Sequence, residues 1–195
     1  LTEEQEMIVE TVRSFVENEI YPHENLVENK GFVPTEIAKE IKQKCIKLGF
    51  YACNFPEEVG GAGLNHLDFA LVERELGRGS MALTHFFGRP QNILMACEGE
   101  QIENYLLPAV RGEKMDALAM TEPDAGSDVR GMKCFAKREG TDWIVNGTKH
   151  FISGAEHADF VIVFIATGEE KTEKGPKKKI TAFLVDRGTQ GFTIR

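Results

Sequence analysis

Two stretches of this chain hold side chains and backbone suited to binding chemistry. Residues 119–129 read Ala-Met-Thr-Glu-Pro-Asp-Ala-Gly-Ser-Asp-Val. A strand ending at Thr121 would run into a loop rich in Pro, Gly, Asp and Ser. Such a loop exposes backbone N–H groups beside the hydroxyls of Thr121 and Ser127, which suits an anionic pyrophosphate or the polar edge of a ring system. Residues 147–155 read Gly-Thr-Lys-His-Phe-Ile-Ser-Gly-Ala. Phe151 and Ser153 are two residues apart, so on a strand they share a face and would offer a flat ligand a ring and a hydroxyl together. Taken singly, the first stretch also reads as an ordinary turn and the second as a core strand.

Other chemistries lack their motifs. There is no G-x-G-x-x-G, no G-x-x-x-x-G-K-[ST], no H-E-x-x-H and no G-x-S-x-G. Histidines 23, 66, 85, 150 and 157 show no metal-ligand spacing on a predicted helix, so no metal site is expected. Cysteines 45, 53, 97 and 134 form no C-x-x-C pair and read as reduced thiols, not zinc ligands or disulfides. Gly60-Gly61-Ala62-Gly63 follows no predicted strand and reads as a tight connection between helices.

The elements that must position the two stretches change type along the chain. Thr2 with Gln5 three residues on is a capping box, followed by Ile8, Val12, Phe15 and Val16 at helical spacing. A second helix starts at residues 34–36, with Ile37, Ile41, Cys45 and Leu48 as its stripe and Gly49 at its end. Asn65 caps a third helix that closes at Gly77. Helical pattern continues over 82–97 with a break at Pro90, and 101–107 makes a last short helix before Pro108. From Asp116 the period becomes that of strands: 116–121, 132–137, 142–145, 159–166 and 180–185. Asn146-Gly147, between Trp143-Ile144-Val145 and Phe151-Ile152, predicts a hairpin turn. The polar residues 168–179 predict a loop, and the last residues before Arg195 look like the start of another strand. The fold class is therefore α+β: an N-terminal all-α helical domain over 1–115, then a β-barrel-like domain over 116–195.

The 195 residues and their 42% hydrophobic content are enough to bury a core without staples. With 23 Lys+Arg against 31 Asp+Glu, the net charge of −8 argues against nucleic acid as a partner. The dense basic run 177–179 reads as a solvated loop. No apolar run reaches membrane-spanning length, and the chain opens on a helix signal rather than a secretory leader.

The two stretches together resemble the acyl-CoA dehydrogenases. Residues 119–129 look like that family's signature, and residues 143–153 like its strand pair ending in aromatic-Ile-Thr/Ser. Pro56-Glu57-Glu58-Val59-Gly60-Gly61-Ala62-Gly63-Leu64 resembles its inter-helix loop. Val72-Glu73-Arg74-Glu75-Leu76-Gly77-Arg78 resembles its "EELGR" helix end. The resemblance covers the whole chain.

It implies an FAD enzyme that takes an α-proton from an acyl-CoA thioester and passes a β-hydride to flavin N5. The family has a helical domain, a β-barrel domain and a C-terminal helical domain, of which these residues resemble the first two. By resemblance, Met120 and Thr121 would meet the pyrimidine edge of the flavin, partly through backbone, with Leu118 at a position often aromatic in relatives. Gly126 and Ser127 would lie by the pyrophosphate and the thioester end. Phe151 would pack on the flavin where relatives often carry Trp, Ile152 would follow it in the cofactor segment, and Ser153 would donate to N5 in place of Thr. Phe86 and Phe87 would wall the acyl pocket, with Arg89 read as a surface charge ahead of a partner for a polar acyl group. The family's catalytic base sits on the C-terminal domain, so no catalytic residue is assigned here, and Glu73, Glu75 and Glu122 are read as surface charge or turn support. An electron-transferring flavoprotein is the implied electron acceptor, a homo-oligomer the implied full-length state, and bacterial cytoplasm or mitochondrial matrix the implied location. An oxygen-using relative (an acyl-CoA oxidase or flavin monooxygenase) and a non-catalytic binding or assembly fragment are the alternatives.

Overall fold

The computed structural model describes residues 1–173 and 175–195. Two units form along the chain, 1–113 and 114–195.

The first unit is helical. Helix α1 (Glu3–Phe15) starts on the predicted capping box: the Thr2 hydroxyl accepts from Gln5 N–H while the Gln5 side chain accepts from Thr2 N–H. Three glutamates in its first turn complement the helix dipole. It buries Ile8, Val9, Val12 and Phe15. Helical structure then continues beyond the predicted first helix. A π-type turn over Val16–Ile20 leads into α2 (Tyr21–Lys30), ended by Gly31 at φ 72°. Periodicity alone hides this second segment, because the extra residue of a π turn rotates the apolar stripe.

Helix α3 (Thr35–Lys47) buries Ile41 and Cys45, and Gly49 follows its last turn at φ 75°. Helix α4 (His66–Leu76) is capped by Asn65, whose side-chain oxygen accepts from the N–H groups of Leu67 and Asp68. The pattern over 82–97 splits around Pro90 into α5 (Met81–Thr84) with a following 3₁₀ turn, and a second 3₁₀ turn over Asn92–Ala96. Pro108 does not end the last helix as expected. It sits in the first turn of α6 (Leu107–Val110), where a missing N–H costs nothing.

The second unit is one five-stranded mixed sheet. Strands are β1 (Asp116–Ala119), β2 (Phe135–Glu139), β3 (Asp142–Asn146), β4 (Phe160–Thr172) and β5 (Gly175–Asp186). Strand β4 is the hub: it runs parallel to β1, meets β2 at Phe135↔Ala166, and pairs antiparallel with β5 along its length. Ala117, Ala119, Cys134, Ala136, Val161 and Val163 belong to one buried cluster.

Four sequence expectations are corrected here. The hairpin turn is at Gly140-Thr141, joining β2 to β3 with Glu139 opposite Asp142, not at Asn146-Gly147. Asn146 instead ends the ladder, opposite Phe135. Gly147, at φ 141°, lies where a Cβ would come within 2.2 Å of Cys134 Sγ, so glycine is needed for close approach and not for a two-residue turn. Residues 147–159 are irregular, so Phe151 and Ser153 do not share a strand face. The expected loop 168–179 is mostly strand: Gly168↔Lys179, Glu169↔Lys178 and Glu170↔Lys177 set acids opposite lysines and extend the β4–β5 ribbon, while Lys174 lies outside the described residues. Residues 192–195 form no strand.

Candidate functional site

Strand β1 delivers the first stretch. Ala117 and Ala119 face the core while Leu118, opposite Ile162, faces the other way and is half-buried. The strand stops at Ala119, and the next residues are held by side chains instead of a ladder. Glu122 and Ala125 exchange backbone hydrogen bonds, and Ala125 packs with Met132 and Ala166 in a second small buried cluster. This pins a tight turn whose far side, Gly126 and Ser127, is exposed.

Glu122 is the anchor of that turn. It is 5% exposed. Its carboxylate accepts from the backbone N–H of Lys133 at 2.5 Å, from the N–H of Cys134 at 3.1 Å, and from Lys149 Nζ at 2.8 Å. Burial pushes its pKa up, but hydrogen bonds from Cys134, Lys149 and the two amides outweigh that and hold it at about 2. Turn support is therefore its role, as one of the sequence readings had it.

Lys149 ties the two stretches together, a function the sequence reading missed. Its ammonium reaches Glu122 and also donates to Met120 O at 3.0 Å. One residue on, His150 N–H donates to Thr121 O at 2.9 Å. The signal was present in the position of a lysine amid an otherwise uncharged segment, but only the irregular path of 147–150 brings it inward.

Phe151 follows with φ 57°, a strained value for a residue with a side chain, and the residue is 82% exposed. It stacks on His150, with ring centroids 3.7 Å apart and 17° between planes. Ile152 turns inward onto the β-unit core, while Ser153 is exposed. Tied peptide groups at 120–121, exposed hydroxyls at Ser127 and Ser153, and an open aromatic face suit a planar, uncharged polar ring with an attached anion better than a metal ion or a bare phosphate.

The remaining expected residues lie in the helical unit. Phe87 is fully buried, edge-on to Phe15 at 5.3 Å and tilted against Phe50, so it acts through the core; Phe86 is 4% exposed, edge-on to His85. Arg89 is not a loose surface charge, because its guanidinium pairs with Glu73 at 3.1 Å. Glu75 is buried beneath Arg13, Arg74 and Arg78, and the Arg13 hydrogen bond leads in holding its pKa low. All four cysteines are free; burial pushes the Cys53 and Cys134 thiols up to about 11. No described helix is long and apolar enough to cross a membrane.

Comparison with known proteins matches one family along both units. The acyl-CoA dehydrogenase N-terminal domain matches residues 2–113 and the middle domain of the same family matches residues 117–195. The chain is 37% identical over 198 residues to a 3-(aryl)acrylate reductase of Clostridium sporogenes, covering 99% of this chain and 50% of that protein. It is 37% identical over 194 residues to the mitochondrial long-chain specific acyl-CoA dehydrogenase of Mus musculus, covering 97% and 44%. Among solved structures, glutaryl-CoA dehydrogenase of Mycobacterium smegmatis in complex with FADH2 superposes with a TM-score of 0.80 at 30% identity, covering 99% of this chain and 48% of that one. The chain thus spans about half the length of the relatives it matches. It belongs to the acyl-CoA dehydrogenase family.

Proposed function

We propose that this protein, in its full natural form, is an FAD-dependent acyl-CoA dehydrogenase. The observation that carries the reading is the joining of residues 120–122 to 149–150, which sets a fixed backbone edge next to an exposed aromatic ring. FAD, when bound, supplies the acceptor for the hydride that leaves the acyl β-carbon. Met120 and Thr121 orient the pyrimidine edge, with Leu118 and Ile152 in the adjoining framework. Phe151 covers a ring face. Ser153 donates to N5, where added electron density needs a donor. Gly126 allows close approach of the pyrophosphate, and Ser127 meets the phosphate and the thioester end of the substrate. Phe86 and Phe87 stiffen the wall that receives the acyl chain. In this reading, residues 1–115 and 116–195 serve as the family's acyl-binding and flavin-binding domains.

The proton acceptor comes from outside these residues. Glu122 is tied by three donors, Glu75 lies under three arginines, and Glu73 is paired with Arg89, so each carboxylate is already engaged. An electron-transferring flavoprotein receives the electrons, the natural protein assembles as a homo-oligomer, and it works in a bacterial cytoplasm or mitochondrial matrix. Curated relatives from both bacteria and mitochondria are consistent with that last pair. The similarity to a 3-(aryl)acrylate reductase favours a second reading, the same carbon–carbon chemistry run as a reduction on an aryl-bearing substrate.

The test is direct. Purified full-length protein is yellow, and an acyl-CoA bleaches the flavin and reduces an electron-accepting dye. Return of the yellow colour when an arylacrylate substrate is added to the protein already reduced by a chemical reductant instead supports the second reading. Rapid oxygen consumption in place of dye reduction points to an oxidase, and protein that stays colourless on adding FAD overturns the flavin assignment.

A further inference from the structure

The Glu122–Lys149 pair is buried, with side-chain exposures of 4% and 9%, and buried ion pairs are poor stabilisers unless each charge is fully hydrogen-bonded. Glu122 meets that condition through two backbone amides and the lysine. Lys149 spends one of its remaining protons on Met120 O at 3.0 Å. That carbonyl belongs to the same planar peptide as the Thr121 N–H, and the two groups point in opposite directions. A cation hydrogen-bonded to the carbonyl polarises the peptide and strengthens its N–H as a donor. The neighbouring Thr121 carbonyl is also fixed, by the His150 N–H. The peptide at 120–121 is therefore held by the ammonium at its own carbonyl, and the next peptide is held at the Thr121 carbonyl.

We infer that Lys149 is a positioning residue that relays its positive charge through the Met120–Thr121 peptide to the flavin, so favouring the reduced ring. The inference rests on the proposed placement of that peptide at the pyrimidine edge. It assigns to Lys149 a role in setting the reduction equilibrium, beyond holding the turn in place. A ring that gains electron density on reduction is stabilised by a stronger donor at its edge. Glu122 partly offsets that charge, since its carboxylate accepts from the same ammonium.

The experiment uses the full-length protein with FAD bound, and compares it with K149M and K149R. Reduction equilibria are read by titration against a reference dye, with thermal unfolding measured in parallel. K149M is expected to shift the reduced-to-oxidised ratio about tenfold toward oxidised, about 30 mV for a two-electron couple. K149R, which keeps the charge and a donor, is expected to stay within about threefold of the parent. Should K149M fail to fold, E122Q replaces it: this variant keeps the ammonium and removes its counter-charge, so the ratio moves toward reduced, and an unmoved ratio overturns the inference. A flavin-loaded K149M whose ratio matches the parent overturns it as well, even if its melting temperature falls. A parent protein that takes up no FAD overturns the proposed function itself, and the inference falls with it.

Discussion

Glu122 owes its low pKa to groups that exist only in the folded chain, which makes it a source of pH-dependent stability. Its folded pKa, about 2, is below the ordinary value of 4.5. The unfolded chain therefore binds the proton more readily, and the stabilisation is fully present above the ordinary value and lost as pH falls through about 2. At 1.36 kcal/mol per unit the contribution is about 3 kcal/mol. Denaturant unfolding should show E122Q destabilised at pH 7, with the gap to the parent closing between about pH 4.5 and pH 2. Gly147 is a second residue-scale test. A Cβ there would lie 2.2 Å from Cys134 Sγ and 2.8 Å from Cys134 Cα. Gly147→Ala should cost at least about 2 kcal/mol by the same measurement, and Cys134→Ala should restore only part of it, because the backbone clash remains. Ser153 is the residue-scale test of chemistry. Removing one preorganised donor to a developing negative charge typically costs on the order of a hundredfold, so Ser153→Ala in the full-length protein should lower kcat by about that factor with little change in folding.

Among the elements, the β2–β3 hairpin separates two readings of the same sequence. Gly140 has φ 63° at the turn, whereas Asn146 sits in a regular ladder opposite Phe135. Gly140→Ala should cost about 1 kcal/mol, while Asn146→Ala should fall within about 0.5 kcal/mol of the parent. The reverse order would restore the turn to Asn146-Gly147. Asn-Gly is a strong hairpin signal only when the runs on both sides can pair, and here the close packing of Gly147 on Cys134 takes the second run away from β3. The helices were more legible. Capping boxes, Asn caps and trailing glycines act within four residues, so Thr2, Asn65 and Gly49 gave correct ends. The Val16–Ile20 turn and α2 were not legible, because a π turn depends on packing of the whole stripe.

For the whole molecule, the acidic balance carries its own expectation. With a net charge of −8 and a pI near 5.2, the protein should not be retained on heparin at about 0.1 M salt, and salt-sensitive retention would count against the metabolic-enzyme reading. Family and fold class were both in the sequence, since they rest on ordered motifs along the chain and on the change of period near residue 115. The residues expected at a flavin edge come from a resemblance carried by 119–129 and 143–153, and they stand as a proposal. What tertiary structure alone decided is how those two stretches meet. Phe151 and Ser153 were placed on a strand by their spacing, but they lie in an irregular segment with Phe151 strained and open. Lys149, unremarked in the sequence, became the link between Glu122 and Met120 O. A buried charge finds its partners across 27 or 29 residues of chain, and no local pattern encodes a contact over that distance.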